Sequence, residues 1–369
     1  MAKKKSTKVK VLSESQLAKK YPHSGKASLI SVPKDRVLRL PTRSLALNHQ
    51  LNGGLPYGKI LELFGEESTG KSLLAMDFCY CAQALGGEVI WADAENSFNA
   101  HWFERNGIDL DRLHLMTENS GVELISDWAR DTVMSVRSRL TSNEPIILVV
   151  DSLATLRCIA EIGESQMDSS AKFGNRAKAI SDFLGNRNEM FARLGICVIL
   201  INQLRKKIGA TQWEDPDKTV GGDATKFYAA QRIGLTRGKQ IKSKINDIEK
   251  KVGQVVYVRT KKDKTGPPRS STQTEVYFIG SKKNPVGFAR YTGLPEVLVE
   301  TKTVTRKKGS SRYYVGDKMV ANGEEAFIKK LKEDEKFRKQ LIGVSPINTI
   351  SKVSAKLANI KTNLYPVED

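Results

Sequence analysis

One octapeptide constrains this chain more than any other stretch: Gly65-Glu66-Glu67-Ser68-Thr69-Gly70-Lys71-Ser72, preceded by the apolar run Ile60-Leu61-Glu62-Leu63-Phe64 and followed by Leu73-Leu74-Ala75-Met76-Asp77-Phe78. Strand, glycine loop and helix, in that order, is the setting a P-loop requires. The two glycines let backbone N–H groups turn inward as an anion-binding concavity, and the helix that starts there aims the positive end of its dipole at the same spot. A plain glycine turn would explain the bend alone; four residues at fixed spacing between the right flanks favour a polyphosphate site. Lys71 is then expected to neutralise β- and γ-phosphate oxygens, and the Ser72 hydroxyl to join a Mg²⁺ shell that keeps several waters.

The loop sits in a chain of 369 residues, 40% hydrophobic, long enough to bury a substantial core and to carry more than one domain. No apolar run approaches the ~20 residues that cross a bilayer, and the opening Met1-Ala2-Lys3-Lys4-Lys5 lacks the apolar segment of a signal peptide. A cytoplasmic protein without a membrane partner is expected. The cysteines Cys79, Cys81, Cys158 and Cys197 form no C-x-x-C pair, and His23, His49, His101 and His114 are scattered without ligand spacing, so neither disulfide, cysteine or histidine metal site nor histidine catalyst is expected. The net charge of +19 attracts polyanions, with nucleic acid the leading partner, provided a loop or groove concentrates the cations.

Around the loop, the apolar runs Glu88 to Ala92, Ile146 to Val150 and Ile196 to Ile201 alternate with amphipathic segments at Val122 to Leu140 and Ala177 to Leu194. That alternation predicts an α/β fold with a mainly parallel sheet flanked by helices. Ligands of such sheets lie beyond the carboxyl ends of the strands, and each run ends in a polar residue. Asp151 ends a Walker B-like strand and is placed to hold Mg²⁺ through water, although a helix N-cap aspartate would read the same way. Asp93-Ala94-Glu95 offers a carboxylate to orient a water, with capping as the alternative. Gln203 can donate to a phosphate oxygen and swing away when that oxygen leaves.

Two polar stretches are candidate loops for nucleic acid. Leu204 to Val220 is long, opens with Arg205-Lys206-Lys207 and carries Trp213, a combination that suits a phosphate backbone and unstacked bases. It ends at Gly221-Gly222-Asp223, before a helical pattern over Ala224 to Gln231. Glu161 to Met167, trailed by Lys172, Arg176 and Lys178, is the second. At the other end, residues 1 to 10 read as a lysine-rich arm, followed by a short helix at Ser13 to Lys20 and a short strand at Ala27 to Val32. These cannot build a core alone and must pack on the main domain or a neighbouring subunit.

Taken in order, Gly53-Gly54-Leu55-Pro56-Tyr57-Gly58, the loop Gly65 to Ser72, Asp93-Ala94-Glu95, Asp151-Ser152, Glu161-Ile162-Gly163-Glu164-Ser165, Ile201-Asn202-Gln203-Leu204-Arg205-Lys206-Lys207-Ile208-Gly209 and Gly221-Gly222-Asp223-Ala224-Thr225-Lys226-Phe227-Tyr228 closely resemble the RecA family of recombinases, over nearly the whole chain. The resemblance implies a RecA-like core assembling head to tail into a helical filament on single-stranded DNA, with ATP and Mg²⁺ between subunits, catalysing homologous pairing and strand exchange with duplex DNA. It also assigns roles. Glu95 resembles the catalytic carboxylate, Gln203 the γ-phosphate switch and Trp102 the aromatic that stacks on adenine, while Lys262 and Lys264 resemble the lysines that reach the neighbour's γ-phosphate. Ser165, Gln166, Met167, Lys172 and Arg176 would belong to the first DNA loop, and Arg205, Lys206, Lys207, Trp213, Gly221 and Gly222 to the second.

The same resemblance divides the chain into a subunit-linking arm over residues 1–33, an ATPase core over 34–284 and a small α+β C-terminal domain over 285–369, with Lys307-Lys308 offered to duplex DNA. Two departures stand out. The segment between the first loop and Ile196 is longer than usual, and Tyr365-Pro366-Val367-Glu368-Asp369 replaces the long acidic tail of many bacterial members. A phage-encoded or divergent member fits, in which case the cytoplasm would be the host's. The competing expectations are a RecA-like ring helicase and a DNA-coating filament protein whose ATPase is dispensable.

Overall fold

The computed structural model describes residues 38–117, 121–162, 169–206, 217–219, 222–267, 269, 271–281, 284–307 and 309–344. The expected arm over 1–33 lies outside these residues, as do Ser165, Gln166, Met167, Lys207, Trp213, Gly221 and Lys308.

The described strands are β1 (Arg39–Leu40), β2 (Leu55–Pro56), β3 (Ile60–Gly65), β4 (Glu88–Asp93), β5 (Leu113–Met116), β6 (Ile146–Asp151), β7 (Ile196–Lys206), β8 (Asp217–Thr219), β9 (Gln231–Ile245), β10 (Ile248–Asp263), β11 (Ser271–Tyr277), β12 (Gly287–Phe288), β13 (Arg312–Val315) and β14 (Lys318–Asn322). The α-helices are α1 (Leu45–Gln50), α2 (Lys71–Ala84), α3 (Ala100–Arg105), α4 (Val122–Arg139), α5 (Ile159–Ile162), α6 (Ser169–Leu194), α7 (Gly222–Tyr228), α8 (Leu294–Glu300), α9 (Glu324–Glu333) and α10 (Glu335–Val344). One large sheet runs β12-β11-β10-β9-β3-β7-β6-β4-β5, with β8 attached to β7. From β5 to β9 every pairing is parallel; from β9 to β12 every pairing is antiparallel.

The parallel half is built from strands buried on both faces, which is why their sequences read as continuous apolar runs. Alternation along each strand sorts their side chains into two cores. Leu61, Leu63, Val89, Trp91, Ile147, Val149 and Ile199 pack with Leu74, Met76 and Phe78 of α2. Ile60, Ile90, Leu148, Val150, Val198 and Leu200 pack on the opposite face with Val133 of α4 and Ile180, Phe183 and Leu184 of α6. Trp91 is 2% exposed and meets Phe103 edge-on at 5.0 Å.

The structure adds one element that the sequence did not reveal and corrects three expectations. The antiparallel half, with strands of 15 and 16 residues, was not foreseen. Beyond the stretch that β3 and β11 cover, its outer ribbon carries lysines on exposed backbone, so it has no buried alternation to read. Its turn, Asn246-Asp247, has both residues at positive φ (51° and 60°), as a two-residue hairpin turn demands. First, the loop expected to start at Leu204 does not, because β7 continues to Lys206 and pairs with β8, Leu204 opposite Thr219 and Lys206 opposite Asp217. Arg205 and Lys206 therefore stand on a strand. Second, the helix expected over Ala224 to Gln231 starts at Gly222 and stops at Tyr228, since Gln231 opens β9. Third, the segment before Ile196 is one 26-residue helix, α6, beginning at Ser169 and carrying Lys172, Arg176 and Lys178.

After β12, which still pairs with β11, the chain forms a third core of Leu294, Leu298, Val304, Tyr313, Phe327, Leu331 and Leu341. Leu45 and Ala46 of α1 join it, so the small C-terminal elements pack against α1. Among the described residues no helix is long and apolar enough to cross a membrane. Cys79, Cys81, Cys158 and Cys197 are buried free thiols.

Candidate nucleotide site and DNA-facing elements

The octapeptide folds as its spacing requires. β3 ends at Gly65, α2 begins at Lys71, and Gly70 between them takes a φ of 95° that L side chains rarely adopt. Gly65 is needed for another reason: a Cβ there would lie 2.4 Å from the Leu235 carbonyl oxygen of β9. No side chain caps α2, so its first N–H groups face the loop and are free to take an anion. Thr69 Oγ1 donates to the Glu66 carbonyl at 2.9 Å, and Lys71 Nζ donates to the carbonyls of Gly65 at 3.1 Å and Glu66 at 2.7 Å. Burial lowers the Lys71 pKa, against the pull of Asp151, Glu95 and Glu67.

Ser72 Oγ donates to Asp151 Oδ2 at 2.8 Å, which joins the first residue pair of the helix to the end of β6. Burial pushes the Asp151 carboxyl up to about 7, and the nearby Glu95 and Asp93 charges push the same way. A hydroxyl and a carboxylate, both hard oxygen donors, in a cluster that disfavours its own negative charge fit Mg²⁺ at this point. The two carboxylates of Asp93-Ala94-Glu95 divide the expected roles. Asp93 is buried and accepts from Phe98 N at 2.7 Å and Ser97 Oγ at 3.3 Å, a turn-forming aspartate. Glu95 is exposed, held by Ser152 Oγ and by Gln203 Nε2 at 3.4 Å, with its backbone N–H tied to the Asp151 carbonyl at 3.3 Å. Gln203 stands opposite Gly65 in the β3–β7 register.

One cavity of about 530 Å³ is lined by Glu67, Ser68, Gly70, Lys71, Ser72, Glu95, Asp151 and Gln203, with Trp102 also in its lining. Trp102 is presented by α3, whose N-cap Asn99 accepts from its backbone N–H at 2.9 Å. Among the lining residues that sequence reasoning missed are Lys251, Gln254 and Phe278. All come from the antiparallel half. Gln254 Nε2 donates to the Ser68 carbonyl at 2.9 Å, bracing the loop, and Lys251 Nζ lies 5.4 Å from the Phe278 ring centroid. One of them was detectable: in the alternating run Val252, Gln254, Val256, Val258 the glutamine is a polar residue at a core position, 1% exposed.

Lys262 and Lys264 are not among the lining residues of this cavity. Lys262 Nζ donates to the carbonyls of Lys226 and, at 3.3 Å, Phe227, at the C-terminal end of α7. Lys264 Nζ lies 5.8 Å over the ring of Phe227, which is 70% exposed. Of the expected DNA residues, Arg176 is half-buried and donates to Ala154 O and Glu161 Oε2, each at 3.4 Å, beneath the start of the first loop. Lys178, two residues along, is exposed. Gly222 opens α7.

Fold and site together define a P-loop ATPase, with its nucleotide cavity at the carboxyl ends of a mainly parallel sheet. The family described as the RecA N-terminal domain matches residues 10–281. Protein RecA of Bacteroides thetaiotaomicron is 31% identical over 344 residues, covering 92% of this chain and 97% of that protein. Protein RecA of Frankia casuarinae is 33% identical over 87% of this chain and 90% of its own length, and that of Synechocystis sp. is 32% identical over 81% and 78%. The chain belongs to the RecA family.

Proposed function

We propose that this protein is a DNA-dependent ATPase that forms head-to-tail helical filaments on single-stranded DNA and carries out homologous pairing and strand exchange with duplex DNA. The observation that carries this reading is the convergence of Lys71, Ser72, Asp151, Glu95 and Gln203 on one cavity of a chain whose charge is +19. ATP lies with its phosphates against the N-terminus of α2 and its base toward Trp102 and Phe278. Ser72 and Asp151 would hold Mg²⁺, which would supply charge neutralisation to the phosphates. Lys71 exchanges its loop carbonyls for phosphate oxygens. Glu95, steadied by Ser152, orients the attacking water.

Gln203 donates either to Glu95 or to the γ-phosphate, so loss of that phosphate returns it to the carboxylate. Because β7 runs on from Gln203 to Lys206, that exchange moves the strand that leads into the second DNA loop. Lys262 and Lys264, outside their own chain's cavity, act on the ATP of the neighbouring subunit. The work is done in the cytoplasm, the host's if the protein is phage-encoded. A coating protein with dispensable ATPase does not account for an intact Glu95 beside an intact P-loop, and a ring helicase is not expected to carry the Ile201 to Gly209 string together with Lys262 and Lys264.

The test is Lys71→Ala, assayed for ATP turnover with and without single-stranded DNA and viewed by electron microscopy. Loss of DNA-stimulated turnover and of ATP-dependent filaments is expected; wild-type turnover would sink the P-loop assignment, and rings instead of filaments would sink the filament.

A further inference from the structure

In the middle of the strand that feeds the P-loop stands a carboxylate with no exposure at all, Glu62. Burying one charge unpaired costs several kcal/mol or more, so its partners are informative. From β7, Asn202 Nδ2 donates to Glu62 Oε1 at 2.9 Å; from β9, Arg232 Nε donates to Glu62 Oε2. Arg232 is directly opposite Glu62 in the β3–β9 register, and its guanidinium lies 5.2 Å over the ring of Phe64. On its other side Arg232 is directly opposite Lys262 in the β9–β10 register. Lys262 in turn holds the end carbonyls of α7. One face of the sheet therefore carries a continuous polar row across four strands, Asn202, Glu62, Arg232 and Lys262, ending on the helix that follows the second DNA loop.

The start of the row is as telling as its end. Asn202 and Gln203 are consecutive on β7 and point to opposite faces of the sheet. Gln203 meets Glu95 on the cavity side while Asn202 meets Glu62 on the other. A shift of β7 driven by Gln203 cannot occur without displacing Asn202 against Glu62. We propose that Glu62 is a positioning residue that ties the γ-phosphate sensor strand to Lys262 and α7, so that occupancy of a subunit's own nucleotide site sets the lysines it offers to its neighbour.

This rests on the reading above that Gln203 senses the γ-phosphate and that Lys262 acts across the interface. The charge balance fits: burial pushes the Lys262 ammonium below the ordinary lysine value, Lys264 and Arg232 push the same way, and Glu62 opposes them. Packing alone gives no reason for the row, since well-packed apolar residues in place of a buried ion pair are often as stable or more so.

The experiment separates position from stability. Glu62→Gln leaves Arg232 buried without its counter-charge and is expected to lower the melting temperature. The double variant Glu62→Met/Arg232→Met removes both charges, and Arg232→Lys keeps the charge but loses the guanidinium geometry. Each is measured for melting temperature, for ATP KM and kcat with and without single-stranded DNA, and for DNA affinity. In the double variant and in Arg232→Lys, KM and DNA affinity are expected to stay near wild type while DNA-stimulated kcat falls by about tenfold, the range of an ordinary coupling between sites. Should the double variant fail to fold, Arg232→Lys alone decides. Wild-type DNA-stimulated kcat in a folded variant overturns the proposal. Gln203→Ala is the control: if it too keeps full stimulation, the sensor reading falls and this inference with it, whereas loss in Gln203→Ala beside fully active row variants removes Glu62 alone.

Discussion

Gln203 Nε2 lies 3.4 Å from Glu95 Oε1, bringing an amide on β7 within reach of the carboxylate just beyond the end of β4. The contact is long for a hydrogen bond, and under the proposed function the same donor would serve the γ-phosphate as its second acceptor. Removing the carboxylate's basicity but not its shape, Glu95→Gln, should lower kcat by about 10²- to 10⁴-fold, the usual range for a positioned acid–base group. The ATP KM should barely change. Steady-state ATPase assays with single-stranded DNA check this, and a large rise in KM with unchanged kcat would assign Glu95 to binding instead.

A second prediction concerns the loop's architecture. Gly65→Ala places a methyl 2.4 Å from the Leu235 carbonyl oxygen, backbone that cannot swing aside, so β3 and β9 must part. A loss of about 1 to 3 kcal/mol is expected, as for overpacked cores. Gly65 has an ordinary φ, so the effect is steric; denaturant unfolding that shows no loss would mean the strands separate at no cost.

The aromatic lining of the cavity carries a third. Trp102 and Phe278 are the aromatic residues of its lining. Phe278→Ala should raise the ATP KM by about three- to tenfold, the equivalent of ~0.5 to 1.5 kcal/mol of ring contact. Inorganic triphosphate, which has no base, should compete equally well in wild type and variant. Equal weakening of triphosphate would place Phe278 in the scaffold of the loop and not against the base.

How far the sequence could be read follows from where burial is strong. β3, β4 and β6 are apolar over most of their length because both faces are covered, and the residues at or just beyond their ends, Asp151 and Glu95 among them, were legible as a candidate site for that reason. β9 and β10 were not, because past the stretch that β3 and β11 pair with, the ribbon from Thr236 to Lys251 is exposed for most of its length and alternates nothing. Lys251, Gln254 and Phe278 were lost with those strands, although Gln254 among valines and the Asn246-Asp247 turn were both local signals. Glu62 was hidden differently: one glutamate in an apolar run reads as an exposed position of an amphipathic strand, and its partners, Asn202 and Arg232, are 140 and 170 residues away.

The last prediction asks whose ATP the lysines serve. Lys262 and Lys264 sit by α7, outside the cavity of their own chain, and Lys262 also holds two carbonyls there. A purely local role would make Lys262→Ala/Lys264→Ala a helix-end defect, seen as a lower melting temperature with near-normal ATP turnover. A role across a head-to-tail contact makes it inactive while folded, as Glu95→Ala is expected to be for its own reason. Mixing the two inactive variants distinguishes these cases. With random assembly, about one quarter of interfaces pair an intact Glu95 with a neighbour's intact lysines, because a heterologous contact draws each half from a different subunit. DNA-stimulated ATPase should reappear on mixing to about that fraction of wild type, and should vanish again when either variant is in large excess. A mixture shown to co-assemble that stays inactive would mean that Lys262 and Lys264 act within their own chain, and the shared nucleotide site would have to be abandoned.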